Sequence, residues 1–583
     1  MSLRFFYQIL FALSLVLVAF LPFHMASSPR GGAVRWVTVN PEEFQPLPGK
    51  EGGELRFILR GDPKTLNPVV AQETTSTAVI GDLFSGLTKL DLKTMTYVPD
   101  LAKRWHVLDN GRRYIFELRE NLRWSDGHPI SADDVVFTYR DVYLNPQIPN
   151  STADMLKGVL KTPQQVRNFV RKLDEKRVEF RLPEPFAPFL GIMASPILPR
   201  HKLERYVKEG NFMSAWNVST PPSQIVGSGP YRLVRYVKGQ RVEYEANPYY
   251  YERDDMGKHL PYIKRKVGYI LQDPDTALLM YTTGGVDMLS PRPQDLLVLS
   301  KLGGSSLYNL GPTPAITFLV FNQNPRSSLP QYKLRWFQNK LFRLAVSYAI
   351  DRESMCTLVY NGLAVPLYGP ITPANRPYYK EGLFPQYSYS PQKAKELLLK
   401  AGFRYGKDGW LRDAEGHTVE IVLLTNADNK EREKLGNMIK EDLEKIGIKV
   451  IFRTLDFNTL VRKLSTPPYD WEAVIIGLTG SLDPHFGRNV WHSSGTLHIW
   501  NPMQKKTATQ WEARVDALLD RAASTLDQKV RISLYQEAFR IIAEEQPMIF
   551  LVAPQSILSV SDRLNNVFPT VWGFYREESM FFK

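Results

Sequence analysis

The 583-residue chain has only one cysteine and lacks the short motifs that identify common kinds of enzyme. The single Cys356 excludes an internal disulfide framework and a multi-cysteine metal site. The sequence contains no glycine-rich Walker phosphate loop, no His-Glu-x-x-His metal helix and no Gly-x-Ser-x-Gly nucleophile elbow. These absences argue against several common classes of enzyme.

The charge of the chain is positive but not concentrated. Lys and Arg number 73 against 60 Asp and Glu, a formal net charge of +13, yet basic and acidic residues alternate along the whole sequence. A nucleic-acid-binding protein instead concentrates its basic residues on one face or in one segment. We therefore expect a mildly basic, solvated surface and no nucleic-acid partner. The length allows two or more hydrophobic cores.

Long apolar runs are also scarce, and the clearest one lies near the N-terminus. Residues 9–23 follow Arg4 and have the length of a signal-peptide core, which is short for a membrane span. His24 and Met25 interrupt the expected small-x-small cleavage pattern, so residues 1–28 are either a signal peptide or an uncleaved N-terminal anchor. No cysteine lies just after this segment, so we do not expect a lipoprotein. Residues 29–51 contain several prolines and predict an extended linker.

The most informative stretch is residues 118–138, where a strand, a tight turn and a capped helix follow one another. Alternating apolar residues over 114–118 predict the strand, and Ser125, Asp126 and Gly127 supply the turn. Ser131 is a suitable N-cap for the helix that follows, and Asp133 lies in its first turn. No residue in this stretch indicates catalysis.

Further segments in a fixed order extend this pattern over most of the chain. They are GGELRFILRGDPKTLNP at 52–68, DLFSGL at 82–87, GSGPYRL at 227–233, EANPYY at 245–250, FRLAVSYAIDRE at 342–353 and SPQKAKELLLKAGF at 390–403. Together with 118–138 they resemble the family-five extracellular solute-binding proteins, the peptide-type and nickel-type receptors that deliver cargo to ABC importers.

The resemblance implies an α/β, two-lobed periplasmic-binding-protein-like fold of type II, in the large cluster, with an extra subdomain in the first lobe. Lobe I is expected over 52–311 plus 545–583, with the subdomain at about 98–225, and lobe II over 312–544. The cargo of such a protein lies between the lobes, which close over it by a hinge motion.

Periodicity alone predicts part of lobe II. An apolar strand at 422–424 precedes an amphipathic helix at 430–445, a strand at 448–455, a helix near 457–464 and a third apolar strand at 471–478. This β-α-β-α-β order predicts a largely parallel sheet. Upstream, Ser390 and Pro391 predict a helix start, and Gly402 predicts its end.

The segment 476–502 bears on what is bound. In peptide-binding relatives, the matching loop carries an aspartate that pairs with the α-ammonium of the peptide. Here Ser481 stands at that position, and Asp483 follows in an Asp-Pro pair. Either Asp483 takes over this role, or the cargo lacks a free amine; alternatively, Asp483 only caps a turn before proline.

Three histidines in this segment, His485, His492 and His498, raise the alternative of a metal or a metal chelate. Their spacing does not match helix-borne zinc ligands, so no metal site is assigned. The aromatic side chains of the segment either line the cleft or pack in the core of the lobe. They are Phe486, Trp491 and Trp500.

Correspondence with the family adds the remaining cleft candidates: Thr74, Thr75, Phe321, Asn322 and Tyr368. The sequence therefore predicts an exported, monomeric receptor without a cofactor that binds a peptide and passes it to ABC permease subunits in the inner membrane. A receptor for a non-peptide solute, such as a nickel complex or an oligosaccharide, is the alternative, and an exported hydrolase is a more remote one.

Overall fold

The structure, a computed structural model, describes residues 36–71 and 73–583. The strands of the first half are β1 Trp36–Val37, β2 Glu54–Leu59, β3 Thr88–Asp91, β4 Thr96–Pro99, β5 Ala102–Leu108, β6 Arg113–Leu118, β7 Val170–Lys172, β8 Arg177–Arg181, β9 Tyr231–Val237, β10 Arg241–Ala246, β11 Arg265–Ile270, β12 Met288–Leu289 and β13 Ser305–Pro312. The helices are α1 Thr74–Ile80, α2 Ala132–Val136, α3 Ser151–Leu156, α4 Pro163–Arg167, α5 Phe189–Ile192, α6 Arg200–Lys208, α7 Pro274–Thr282 and α8 Leu296–Leu299.

The second half contains longer helices. They are α9 Gln331–Gln338, α10 Lys340–Ala349, α11 Arg352–Tyr360, α12 Pro391–Lys400, α13 Lys430–Lys445, α14 Phe457–Ser465, α15 Arg488–Trp491, α16 Gln510–Ser524 and α17 Gln528–Glu545. The strands are β14 Ile316–Phe321, β15 Ala364–Pro366, β16 Arg404–Tyr405, β17 Leu411–Arg412, β18 Glu420–Asn426, β19 Lys449–Leu455, β20 Ala473–Leu478, β21 Met548–Ser561, β22 Leu564–Asn565, β23 Pro569–Thr570, β24 Gly573–Phe574 and β25 Phe581–Phe582.

One sheet joins the two lobes, in the order β1-β13-β21-β14-β20-β18-β19, with β12 and β15 also paired to β21. The fourteen-residue β21 pairs with β14 through residues 548–552 and with β13 through residues 555–561. The strand therefore passes from lobe II to lobe I between these two stretches. The boundary expected near 545 lies at the end of α17, directly before this strand.

The first lobe also contains two four-stranded sheets. The sheet β2-β11-β10-β9 belongs to the main part of lobe I. The antiparallel sheet β5-β6-β8-β7 lies in the segment 98–225, where the subdomain is expected. Ser131 caps α2 as predicted, because its side chain accepts a hydrogen bond from the Asp133 N–H while Asp134 accepts one from the Ser131 N–H. This capping box fixes the helix start in the signature stretch.

The predicted β-α-β-α-β unit of lobe II is confirmed. β18 lies parallel to both β19 and β20, and α13 and α14 form the connections between them. β14 and β21 run antiparallel to their neighbours, so the complete sheet is mixed. Alternate residues of β14 face two separate cores: Leu319 and Phe321 pack with α9 to α13, whereas Phe318 and Val320 pack with α14 to α17.

A linker was predicted over 29–51, but from residue 36 onward this segment contacts lobe I. β1 pairs with β13, and the Phe44 ring stacks on Phe568 at 4.9 Å and on Tyr575 at 5.3 Å. This apolar contact docks the segment on lobe I. The predicted signal peptide or anchor lies outside the described residues. Within residues 36–71 and 73–583, no helix has the length and apolarity needed to cross a bilayer.

Candidate functional site

The lobes meet where several strands of lobe II end. β18 and β20 both finish at this edge of the sheet, and α13 begins there, capped by the side chain of Asn429. In sheets of this kind, ligands bind outside the carboxyl ends of the strands. The interlobe edge is therefore the place to look for a binding site.

A cavity of about 380 Å³ opens at this edge and takes its lining from both lobes. Pro291, Pro293 and Gln294 come from lobe I, and Thr313 and Pro554 lie in the two segments that pass between the lobes. The lobe II side is formed by α11 and α13 and by the end of β20. Its lining residues include Tyr360, Asn429, Glu431, Arg432, Lys434, Gly477, Leu478 and Thr479.

A second, smaller cavity of about 50 Å³ lies on the other face of the β20 end. Ser481 and Trp491, both predicted from the sequence, line this cavity together with Asn375 and Phe539. No residue that lines it carries a charge. The two cavities share Ile316, Leu478 and Thr479, so the end of β20 separates a charged space from a neutral one.

Asp483 is buried and already paired. Its Oδ1 accepts a hydrogen bond from Nη2 of Arg531 at 2.7 Å and another from the His485 N–H at 2.9 Å. The Arg531 pKa is raised because the attraction of Asp483 outweighs the cost of burial. Asp483 therefore caps a turn, which was one of the interpretations of the sequence. Its charge is neutralised by Arg531 within lobe II.

Three predicted cleft residues lie in the core, and their assignment to the cleft is corrected. Phe321 stacks on Phe337 with ring centroids 5.0 Å apart, and the Asn322 amide donates to the carbonyl oxygens of Tyr469 and Trp471. Trp500 donates through Nε1 to Glu512 at 3.2 Å. All three are at most 1% exposed, because apolar contacts or internal hydrogen bonds satisfy them.

The other predicted residues occupy different places. Tyr368 is half-buried with its ring over the Arg352 guanidinium, and Phe486 reaches across to the subdomain core. Thr74 and Thr75 begin α1 on lobe I, where Thr74 is exposed. His492 is half-buried, and its Nδ1 accepts from the Ser494 hydroxyl at 2.8 Å.

The three histidines of the segment do not converge on one point. His498 is fully buried and uses both ring nitrogens, one with the Val490 carbonyl and one with Glu512. His485 is also buried, but its Nδ1 has no hydrogen-bond partner among the described residues. Burial lowers the pKa of His485 to about 4, so the ring is neutral. Their separate surroundings give no support to a shared metal site.

A different set of ligand-type side chains, Asp413, Glu415 and His417, comes together in the turn after β17. Asp413 already accepts hydrogen bonds from the Trp336 indole and from the main-chain N–H of His417. These contacts hold the turn, and the set lies apart from both interlobe cavities.

Sequence reasoning missed two residues at the interlobe edge, Arg432 and Gly477, and also missed Arg531, the partner of Asp483 inside lobe II. Arg432 and Arg531 appear in the sequence as ordinary members of amphipathic helices. A glycine in an otherwise apolar strand was the available signal for Gly477, since such glycines mark a close approach of another group.

Comparison with known proteins agrees with this architecture. Residues 96–496 match the family described as bacterial extracellular solute-binding proteins, family 5. A probable ABC transporter-binding protein from Deinococcus radiodurans is 28% identical, over 91% of each chain. The oligopeptide-binding protein AppA of Bacillus subtilis is 27% identical, over 88% of this chain and 89% of that protein.

Solved structures show the same fold. AppA from Bacillus subtilis in complex with a nonapeptide superposes with a TM-score of 0.73 at 25% identity and covers 92% of this chain and all of that one. NikZ from Campylobacter jejuni in complex with Ni(L-His) gives 0.72 at 24% identity, over 90% of this chain and 97% of that one. The predicted two-lobed α/β fold is confirmed, and the chain belongs to the family-5 bacterial extracellular solute-binding proteins.

Proposed function

We propose that this protein is the substrate-binding component of an ABC importer and captures peptides between its lobes. The observation that carries this proposal is the cavity of about 380 Å³ at the carboxyl ends of β18 and β20, which is lined by both lobes and by both connecting segments. Hinge closure around this cavity would desolvate a bound solute on all sides. The permease subunits in the inner membrane would then recognise the closed form.

The backbone at the edge of the cavity favours a peptide. Beyond Leu478, the main-chain N–H groups of Thr479 and Gly480 donate to no described residue. An extended peptide can bind such unpaired N–H groups through main-chain hydrogen bonds, which do not depend on its sequence. The names of AppA and of the dipeptide-binding protein of Escherichia coli, which is 24% identical, support the same cargo class.

The alternatives have less support. A nickel complex would be expected to meet several histidines, but neither the cavity of about 380 Å³ nor the one of about 50 Å³ is lined by histidine or cysteine, and the cavity between lobe II and the subdomain is lined by one histidine, His485. The same observation argues against a hydrolase, because no nucleophile in these linings is held by a histidine base. We therefore propose binding without covalent chemistry or cofactor, by an exported monomer.

Native mass spectrometry tests the proposal. The full chain would be purified from the cell envelope without refolding, and denaturation would release anything carried along. Co-purified peptides of mixed sequence are the expected result. A single non-peptide solute or a metal complex would contradict the peptide assignment. An empty protein would then be titrated with a random peptide pool, and lack of any binding would overturn it.

A further inference from the structure

Arg432 is a half-buried arginine without an acidic partner. Its Nη1 donates to the side-chain oxygen of Asn426 at 3.0 Å, and Asn426 in turn donates to Asp428. No carboxylate of residues 36–71 or 73–583 lies within ion-pair distance of the Arg432 guanidinium. Nε and Nη2 make no hydrogen bond with a described residue, so one full edge of the guanidinium fork is free.

The absence of a side chain at Gly477 lets the Arg432 guanidinium pack against β20. A Cβ atom at Gly477 would stand 2.6 Å from Nη2 of Arg432, so any side chain there would displace it. Both residues line the cavity of about 380 Å³, as does Thr479. The free edge of Arg432 therefore lies at the wall of the interlobe space, next to the free strand end.

The surroundings of Arg432 leave its charge poorly compensated. Burial lowers the pKa of Arg432 from its ordinary value, and Tyr360, Asp428 and Glu431 only partly offset this effect. Lys434, which lines the same cavity, has no ion pair among the described residues either. A desolvated guanidinium gains most from a ligand that accepts two hydrogen bonds and carries a negative charge.

The other face of the β20 end offers no counterpart for a cation. Asp483, its nearest buried carboxylate, is neutralised by Arg531, and the cavity beside Ser481 is lined by uncharged residues. The two faces thus differ in the charge they can accommodate: one favours an anion and the other favours a neutral group.

We propose that Arg432 is the cargo-binding residue of this receptor and recognises a carboxylate, which in a peptide is its C-terminus or an acidic side chain. A free amino-terminus is not required. The inference rests on the proposed function, because it assigns a chemical class to the cargo of the same cleft.

Defined peptide pools test it by isothermal titration of the full chain. One pool without acidic side chains is prepared as the free acid, as the C-terminal amide and as the N-acetylated acid; another is amidated but carries one Glu per peptide. The free acid is expected to bind about tenfold to a hundredfold more tightly than the amide, the range for a hydrogen bond to a charged group. N-acetylation leaves the affinity unchanged. Recovery by the Glu-containing amide identifies a side-chain carboxylate as an accepted source.

Variants connect the effect to the residue. Arg432→Gln should remove the difference between acid and amide, and Arg432→Lys should restore only part of it because an ammonium lacks the planar fork. Lys529→Gln, on the exposed surface of α17, should keep it. Equal melting temperatures confirm that the variants fold.

The experiment distinguishes failure of the carboxylate inference from failure of the proposed function. Equal binding of acid and amide, or a difference that persists in Arg432→Gln, overturns the inference and leaves the peptide receptor intact. Binding of no pool overturns the proposed function. In that case, succinate and succinamide are compared by thermal shift: a shift with succinate that Arg432→Gln loses supports a carboxylate site for another solute, and no shift overturns the inference too.

Discussion

Two arginines of lobe II, the buried Arg531 and the half-buried Arg432, have opposite surroundings. Arg531 contacts Asp483 at 2.7 Å and the Tyr378 hydroxyl at 2.6 Å, whereas Arg432 reaches only the amide oxygen of Asn426. The same contrast appears between two histidines: His498 uses both ring nitrogens, but the buried Nδ1 of His485 has no partner. The paired groups lie inside lobe II, and the unpaired groups face the other lobe.

This difference distinguishes polar groups that stabilise the fold from polar groups that are available for binding. A buried polar group that is fully paired contributes to a unique fold. A buried polar group left unpaired costs free energy, and a partner from outside the lobe can offset that cost. The unpaired arginine and histidine therefore mark the surfaces at which cargo or the opposite lobe acts.

The largest expected effect comes from breaking the paired arginine. Arg531→Gln leaves the Asp483 carboxylate buried without a counter-ion, which should lower the free energy of unfolding by about 3–5 kcal/mol. Arg432→Gln, the matched control, removes a charge that has no partner and should leave the free energy of unfolding unchanged or higher. Urea titration of both variants checks the comparison, and equal losses would contradict it.

A smaller loss is expected at the carboxylate that holds His498. Glu512 accepts hydrogen bonds from His498, Trp500, Gln504 and Thr509. Burial alone would raise the Glu512 pKa, but these bonds outweigh it and lower the pKa to about 2. Glu512→Gln should therefore cost about 2 kcal/mol at pH 7.

The contribution of Glu512 to stability should also depend on pH. Because the folded-state pKa lies below the ordinary value of 4.5, the stabilisation is complete above that value and is lost as pH falls toward about 2. Denaturant unfolding of the wild type and of Glu512→Gln should differ at pH 7 and converge near pH 2. The exposed Glu441→Gln serves as the control, and a constant difference down to pH 2 would refute the assignment.

The unpaired histidine should make the contact between the lobes sensitive to acid. His485 packs edge-on against Phe186 of the subdomain at 5.0 Å, and next to it the Ala187 N–H donates to the Ala523 carbonyl at 2.8 Å. Asp483, Arg531, Arg488 and Asp520 face the ring from lobe II, and Lys161 and Glu184 face the adjoining cavity from the subdomain.

Opening this contact would return the His485 pKa from about 4 toward its ordinary value of 6.5. The lobes then stay together above pH 6.5 and separate progressively as pH falls below it, by about tenfold in the closure equilibrium at pH 5.5. Energy transfer between dyes on cysteines introduced at the exposed Asp154 and Lys505 measures closure. His485→Asn should flatten the profile, while His417→Gln should not; an unchanged profile in His485→Asn would disprove the role.

The smallest effect is expected from crowding the unpaired arginine. Gly477→Ala places a methyl group 2.6 Å from Nη2 of Arg432 and 3.1 Å from the Ile316 carbonyl oxygen, so the guanidinium must move. The affinity for free-acid peptides should fall by about threefold to tenfold, less than in Arg432→Gln, with little loss of stability. Gly303→Ala, which meets no atom within 4 Å, is the control. An unchanged affinity would place the bound carboxylate elsewhere.

Local patterns predicted much of the fold but little of this contrast. The alternation of β18, β19 and β20 with α13 and α14 was readable because each element has its own periodicity, and the caps at Ser131 and Ser390 were readable because they act within one turn. The Asp483–Arg531 pair joins residues 48 positions apart, and no local rule connects them. Arg432 resembles any other charged residue of an amphipathic helix until the sheet places Gly477 beneath it.

The core aromatics show the same limit. Trp491 and Trp500 occur in the same loop-rich segment, with equal chemistry and similar neighbours in sequence. One lines a cavity next to Ser481, and the other is enclosed with Glu512. The packing of α16 and α17 over the segment determines which tryptophan lines the cavity and which is enclosed. That packing arises only in the assembled lobe.

The position of β21 in the chain constrains when the protein can fold during its synthesis. This strand fills a central position in the sheet of lobe II through residues 548–552 and in that of lobe I through residues 555–561, and it follows the other strands of this sheet in the chain. Neither lobe can complete its sheet before residues 548–561 have been synthesised, so the nascent chain stays incompletely folded until then. That delay suits a polypeptide predicted to be threaded through a membrane before it folds.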